Sequence, residues 1–323
     1  MTVLPAHRIA TPVLERLPPP GVRGTVLGAS ATAAWVDLGR FVLAVTAREV
    51  PLLPNGVGLA AAGGALGRVG PPGGAVRCAP GRVELGGLTV TWDTASPPAW
   101  DPTVPVAEAA GPAAVAAVGR RGEAVLAALG VSAPREPEGL VAALAEVGLT
   151  TAAEPDGAVG VELLLRAVRE RDQEAAAGAA DLLLGRGPGL TPEGDDLLAA
   201  MAAALVTLGP VAGVRGGSLG GLLSALLGGA ADEGPGGHGA AWRDAPVRLA
   251  GRTTALAATL LELAARGQVV EPAGRLLDVS PAGELAWPGA LRRLERLGHG
   301  SGRAYALGIG AAAWLLAAGG GVG

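Results

Sequence analysis

The sequence predicts an α+β protein, with a small, mostly-β N-terminal domain (residues 1–100) followed by a larger, mostly-α domain (residues 101–323). Short apolar runs cut by turn residues fill the chain up to Trp92, a proline-rich segment follows, and apolar residues recur at helical spacing beyond Val106. The length of 323 residues fits two domains, because a typical domain has roughly 100–200 residues.

Strands are expected wherever an apolar run of the first hundred residues is bounded by turn residues. The runs are Thr25–Leu27, Ala34–Leu38 and Phe41–Thr46. The clearest pattern is a hairpin, in which the alternating runs Arg82–Leu85 and Leu88–Trp92 flank Gly86-Gly87. Two glycines tolerate the positive φ of a tight hairpin turn.

The domain boundary is placed in the segment Asp93–Pro105, whose four prolines lack the backbone N–H that strands and helices need. Beyond it, helical spacing predicts helices near residues 106–129, 137–148, 159–184, 192–208, 216–228, 246–266, 288–297 and 302–318. The Gly- and acid-rich stretch Gly228–Asp244 is expected to be a long exposed loop.

Composition argues against several classes of partner. The formal net charge is −4 and no basic run occurs, so nucleic acid is not expected to bind. Cys78 is the single cysteine, which excludes an internal disulfide and a cysteine-based zinc site. The N-terminus lacks the pattern of a secretory signal, and together these features favour a cytoplasmic protein.

Two uncharged stretches are long enough to be weighed as membrane spans, Leu197–Val214 and Ala304–Gly323. Both are rich in Ala and Gly, which contribute little transfer free energy to a lipid environment. We therefore interpret them as buried core helices and expect no membrane partner.

The first polar motif, Gly189–Asp196, starts a predicted helix with Thr191 as N-cap and Pro192 in the first position. A capped helix alone explains these residues, since acids near its start are favoured by the helix dipole. Gly194 has a low helix propensity, and the adjacent Asp195 and Asp196 repel each other. These residues make the first turn less stable than a simple helix start would be. Successive helix positions lie about 100° apart, so one Asp is expected to face the interior and the other a cleft.

The second motif, Gly298–Arg303, precedes the last apolar helix and contains Gly298, His299, Gly300 and Ser301. Its glycines allow close backbone approach to a small anion at a helix start, and His299 is a candidate acid, base or hydrogen-bond donor. The alternative is a Gly-rich turn with a capping Ser301. His7, near an N-terminus expected to be disordered, and His238 in the long loop are interpreted as solvated.

A third motif, Arg252-Thr253-Thr254, places a guanidinium and two hydroxyls at the start of an apolar helical run. The alternative interpretation is a surface Arg followed by a capping Thr. No nucleophile elbow, P-loop or dinucleotide-binding fingerprint occurs in the sequence.

In this order the three motifs resemble those of the AllH-like family, whose named member is a subunit of oxamate carbamoyltransferase. Glu193 and Gly300 depart from the family pattern, which usually has Ser and Thr there. The resemblance is specific over residues 180–320 and faint over residues 1–100, where the spacing of the strands and Pro54-Asn55-Gly56 are similar.

The resemblance implies carbamoyl transfer between carbamoyl phosphate and oxamate, in allantoin (purine) breakdown, within a complex of several subunits. It makes Asp195, Asp196 and His299 the candidate catalytic residues. The candidate substrate- and anion-binding residues are Asn55, Gly189, Thr191, Gly194, Arg252, Thr253, Thr254, Gly298, Gly300 and Ser301.

Carboxylates beside a substrate anion repel it unless they are protonated, metal-bound or hydrogen-bonded to an amide. Amide binding by Asp195 or Asp196 is the favoured hypothesis, and a divalent cation bridging one of them to phosphate is the alternative. No other cofactor is expected. A non-catalytic partner subunit and a small-anion binding protein are the alternative functions.

Overall fold

The computed structural model describes residues 2–17, 19, 21, 23–106, 111–131, 139–227 and 249–319. The chain forms two compact units. The first comprises Met1–Pro102 with Val269–Glu271, and the second comprises Thr103–Gln268 with Pro272–Gly323. The predicted loop at residues 228–244, with His238, lies outside the described residues, and so do residues 245–248.

The first unit is a nine-stranded sheet with one short helix, α1 (Thr11–Arg16). The strands are β1 (Thr2–Ala10), β2 (Arg23–Ala29), β3 (Ala33–Asp37), β4 (Val42–Thr46), β5 (Gly56–Leu59), β6 (Ala75–Ala79), β7 (Arg82–Leu85), β8 (Leu88–Thr91) and β9 (Ala99–Trp100). A 3₁₀ turn covers Ala65–Arg68.

Eight of these strands close on themselves in the order β5-β4-β3-β2-β6-β7-β8-β1, because β1 also pairs with β5. β9 adds to β1 in parallel, with Ile9 opposite Ala99. The predicted hairpin is confirmed: β7 and β8 are antiparallel, with Leu85 opposite Leu88. The core of this unit is aliphatic, and β4 is buried along its whole length.

The N-terminus differs from its predicted disorder, because residues 2–10 form the longest strand of the sheet. Exposed and half-buried side chains alternate along its first part, so a search for apolar runs misses it. His7 lies on this strand and is exposed, as expected.

The second unit is helical. Its described helices are α2 (Pro112–Ala128), α3 (Leu140–Glu146), α4 (Thr150–Ala153), α5 (Pro155–Glu170), α6 (Gln173–Leu183), α7 (Glu193–Leu208), α8 (Gly216–Leu226), α9 (Ala255–Ala264), α10 (Glu271–Leu277), α11 (Pro281–Leu294) and α12 (Ser301–Gly319). The mixed class with strands first and helices second agrees with the prediction.

Helix α12 is the centre of this unit and packs against α2, α5 and α7. Small residues let the axes approach: a Cβ added at Gly308 would lie 2.6 Å from the Cβ of Ala200, and one at Gly122 would lie 2.4 Å from the backbone N of Trp314. The two Ala/Gly-rich stretches are thus buried helices within the described residues. In this part of the chain no helix is long and apolar enough for a membrane span.

Three helix predictions need correction. Residues 159–184 form two helices, because Arg171 adopts a left-handed φ of 59° and Asp172 then caps α6. α11 begins seven residues before the predicted start at 288, since Ser280 caps it and Pro288 is accommodated inside the helix. α10 was not predicted; the buried Arg121 donates from Nη1 to the carbonyl oxygens of Leu276 and Asp278 at its end.

Candidate functional site

Helix α7 starts where it touches the end of α6. A Cβ added at Gly194 would lie 2.2 Å from the carbonyl oxygen of Leu183, so only glycine fits at this position. The N-cap is Pro192, without a side-chain cap, and Thr191 lies one residue earlier. The predicted capping role of Thr191 is therefore wrong, and its hydroxyl serves another contact.

The backbone N–H groups in the first turn of α7 are already used within the chain. Gly194 N donates to the carbonyl oxygen of Arg186, and the N–H groups of Asp195 and Asp196 donate to that of Pro192. These three groups do not offer donors to a bound anion. What the start of α7 contributes is its side chains.

Asp195 is buried, with 2% of its surface exposed, and both of its oxygens accept hydrogen bonds. Oδ1 accepts from Gly185 N at 3.1 Å, and Oδ2 accepts from the Thr253 hydroxyl at 2.5 Å. Burial raises the pKa of Asp195 to about 6, although these two hydrogen bonds oppose the shift. Asp195 thus links the loop after α6 to the third motif.

Asp196 is also buried, with 7% exposed, and its Oδ2 has no hydrogen-bond partner. Burial raises the pKa of Asp196 well above its ordinary value; a hydrogen bond from Ser301 opposes the shift, and the charges of Asp195 and Glu193 add to it. The prediction that one Asp faces a cleft while the other faces the interior is wrong. Both are enclosed, and burial favours the neutral form of Asp196.

The second motif meets the first through Ser301. Its Oγ lies 2.9 Å from the Thr191 Oγ1, and its side chain also bonds to Asp196. If Ser301 donates to Asp196, Thr191 is left as the donor to Ser301. Segments about a hundred residues apart in the sequence therefore converge on one carboxyl group.

The third motif joins the same cluster. Thr253 donates to Asp195, while Thr254 donates to the carbonyl oxygen of Leu190 and accepts from Ala257 N as the N-cap of α9. Arg252 forms an ion pair with Asp181 at 2.7 Å and also donates to the carbonyl oxygen of Ala180. The structure thus gives Thr254 the capping role of the alternative interpretation, and pairs Arg252 within the protein.

The turn Gly298–Ser301 is the exposed side of the cluster. Gly298 has a φ of 65°, and His299 and Gly300 are exposed. Within the described chain, the backbone N–H groups of His299, Gly300 and Ser301 have no hydrogen-bond partner, and neither does the His299 side chain. Successive open N–H groups at the start of a 19-residue helix favour an anion.

Gly189 and Asn55 were also predicted as binding residues. Gly189 is exposed in the loop before α7, with a φ of 97°. Asn55 belongs to the first unit, where it is fully buried and donates from Nδ2 to the carbonyl oxygen of Val42.

Glu193, which departs from the family pattern, has a structural contact. Its Oε2 accepts from the Thr150 hydroxyl at 2.8 Å and from Thr151 N at 2.6 Å, at the start of α4. A carboxylate there satisfies an N–H group that a helix start leaves open. Glu193 thereby ties α7 to α4.

Tyr305, the single tyrosine of the chain, was missed by the sequence reasoning. It lies one helical turn after Ser301 on α12 and is half-buried. Burial raises its pKa, and the charge of Asp196 adds to the shift. The spacing from Ser301 would have placed it on the same helix face.

Chemically, the cluster combines hydroxyl donors, open backbone N–H groups and two buried carboxyl groups. Among the described residues, no group of three His, Cys, Asp or Glu side chains is arranged to hold a metal ion. Both oxygens of Asp195 accept a hydrogen bond, whereas the buried Asp196 Oδ2 has no partner within the described chain.

Residues 183–313 match the family model described as oxamate carbamoyltransferase subunit AllH. The match confirms the resemblance over about two fifths of the chain, the part that carries all three motifs. No curated protein and no solved structure matches the chain.

Proposed function

Starting from the match of residues 183–313 to that subunit family, we propose that the chain is a subunit of a carbamoyltransferase that binds small anions of the carbamoyl phosphate and oxamate class. One observation carries the proposal: the three motifs converge at the start of α7, where the buried Asp196 Oδ2 has no hydrogen-bond partner. The subunit role implies other protein subunits as partners.

The donors at the site support an anionic ligand. The Gly298–Ser301 turn has open N–H groups and ends with the Ser301 hydroxyl, and the Thr191 Oγ1 lies 2.9 Å from that hydroxyl. The repulsion expected from two carboxylates is relieved because burial favours the neutral form of Asp196. A neutral carboxyl group donates one hydrogen bond and accepts others, so it suits an amide or a carboxylate.

In the proposed reaction, the amide nitrogen of oxamate attacks the carbamoyl carbon. The carbon–oxygen bond to phosphate breaks, phosphate leaves with the electron pair, and the nitrogen loses one proton. Open N–H groups of the turn would stabilise the charge that develops on the carbamoyl and phosphate oxygens. Asp195, which is ionised above its pKa of about 6, would accept the proton, and His299 would act as general acid or as a hydrogen-bond donor to phosphate.

A divalent cation bridging Asp195 or Asp196 to phosphate is the alternative to direct amide binding. Each oxygen of Asp195 already accepts one hydrogen bond, from Gly185 N or the Thr253 hydroxyl, so a metal would share these oxygens with both donors. This competition supports direct binding.

The test is phosphate release from carbamoyl phosphate with oxamate as acceptor, by the purified chain with and without its partner subunits. We expect Asp196→Asn and Ser301→Ala each to lower kcat/KM about a hundredfold or more, because each removes a group at the point of convergence. Thr89→Val, which removes a buried hydroxyl in the first unit, is the matched control and should leave the rate unchanged. Absence of phosphate release under every condition would contradict the proposal.

One observation favours a second candidate, a non-catalytic partner that shapes another subunit's site. Both oxygens of Asp195 are used to hold the loop after α6 and the third motif, which is a structural role. If the assembled complex keeps full activity with Asp196→Asn, with Ser301→Ala and with His299→Ala, this second function is favoured. Tight anion binding without turnover would instead favour a small-anion binding protein.

A further inference from the structure

The cluster at Asp196 contains one more polar group that no motif names, the hydroxyl of Tyr305. We infer that Tyr305 is a further ligand-binding residue, whose hydroxyl donates a hydrogen bond to the bound anion beside Asp196. The inference rests on the proposed function, because it assigns a donor to that same site.

The placement of Tyr305 follows from the geometry of α12. Residues one turn apart on a helix lie on the same face, so Tyr305 follows Ser301 on the face that meets the start of α7. Ser301 marks that face through its contact of 2.9 Å with Thr191. Burial raises the pKa of Tyr305, and the charge of an ionised Asp196 adds to the shift, which agrees with this placement.

Asp196 Oδ2 is buried without a hydrogen-bond partner in the described part of the chain, and Tyr305 lies half-buried one helical turn after Ser301. Buried polar atoms and tyrosine hydroxyls usually make a hydrogen bond. A ligand that reaches both groups would complete the hydrogen bonding.

The Tyr305 hydroxyl and the Asp196 carboxyl group together indicate the class of ligand. A phenol whose pKa is raised by burial keeps its proton and acts as a donor. A neutral carboxyl at Asp196 also presents a donor, whereas a cation or a free amine would need acceptors. The ligand should therefore be a small anion with two acceptor oxygens on one side, such as a carboxylate or a phosphate.

The first measurement is calorimetric binding of oxamate, carbamoyl phosphate and inorganic phosphate to the full chain. Tyr305→Phe keeps the ring and removes the hydroxyl, so we expect Kd to rise roughly ten- to a hundredfold, as for the loss of a hydrogen bond to a charged group. Thr89→Val is again the control, with an unchanged Kd. Equal binding by wild type and Tyr305→Phe would overturn the inference and leave the proposed function intact.

The second measurement uses the fact that Tyr305 is the single tyrosine, so tyrosinate absorbance reports on it alone. We expect Tyr305 to titrate at lower pH in Asp196→Asn than in wild type, and saturating oxamate to change its absorbance in wild type. Identical titrations would show that the two groups are not neighbours and would overturn the inference. If wild type binds none of the three anions, the proposed function fails and this inference fails with it.

Discussion

The two units differ in the kind of buried oxygen that lacks a hydrogen-bond partner. In the closed sheet, the buried oxygens without partners belong to Thr46, Asn55 and Thr89, which are neutral at every pH of interest. Among the described residues of the helical unit, the corresponding oxygens belong to the neutral Gln268 and to Asp196, which is next to another buried carboxyl group. A neutral buried polar group without a hydrogen-bond partner lowers stability by roughly 1–3 kcal/mol at any pH.

A buried carboxyl group behaves in another way, because it can take up a proton to reduce its desolvation cost. That coupling makes the stability of the helical unit depend on pH and leaves a donor for a ligand. Burial alone therefore does not distinguish a functional residue from a tolerated one. Convergence of several motifs on a buried ionisable group does distinguish them. Three predictions follow from the differences between buried groups in the two units.

The largest effect is expected from the glycines of the second motif, which differ in what surrounds them. A Cβ at Gly302 would lie 1.7 Å from the carbonyl oxygen of Leu294, whereas one at Gly300 would meet nothing within 4 Å. Gly302→Ala should destabilise the helical unit by about 3–5 kcal/mol, since backbone must move to make room. Urea unfolding followed by circular dichroism measures this change.

Gly300→Ala is the matched control, two residues away in the same motif, and should change the free energy of unfolding by less than about 0.5 kcal/mol. Equal losses in the two variants would mean that the turn resists any side chain. That result would contradict the difference in space around an added Cβ at Gly300 and at Gly302.

The next effect concerns pH and Asp195. Its pKa is raised to about 6 in the folded protein from an ordinary value of 3.8, so the folded state binds this proton more tightly than the unfolded state. Its contribution to stability is thus present below about pH 4 and is lost as the pH rises through about 6. The loss amounts to about 2–3 kcal/mol.

Asp195→Asn should remove this pH dependence, which can be measured as the free energy of urea unfolding at several pH values between about 4 and 7. Wild type should lose stability relative to the variant as the pH rises over this window. An unchanged slope would show that Asp195 is more solvated than its burial indicates. Glu84→Gln, on a strand of the other unit, controls for the loss of one carboxylate.

The sequence was sufficient for the parts of the fold that depend on local patterns. The β7–β8 hairpin follows from alternation around two glycines, and α7 and α12 follow from unbroken apolar stretches. Long-range pairing was not accessible: β1 closes the sheet by pairing with β5 and β8, and nothing local marks it as a strand. The break at Arg171 was missed because a left-handed non-glycine residue has no strong sequence signal.

For the candidate site, the sequence indicated which motifs to consider but not how their atoms would be used. Thr191 has the residue type and position of an N-cap, yet tertiary contact with Ser301 takes its hydroxyl. The environment of Asp195 and Asp196 depends on segments far along the chain, so helix periodicity could not predict that both are buried. Tyr305 belongs to the cluster through α12, and its residue type alone does not indicate that.

The smallest expected effect concerns a neutral buried group without a partner, the Thr89 hydroxyl. The Thr89 hydroxyl is buried without a partner, so Thr89→Val replaces it by a methyl group of similar size and should stabilise the closed sheet by about 1 kcal/mol. Thr207→Val is the matched variant, because the Thr207 hydroxyl is equally buried but donates to the carbonyl oxygen of Ala203 at 2.8 Å. Its loss should destabilise the helical unit by a similar amount. Changes of opposite sign in the free energy of urea unfolding would show that the unpartnered Thr89 hydroxyl lowers the stability of the sheet. Equal destabilisation by the two substitutions would mean that Thr89 has a hydrogen-bond partner in solution.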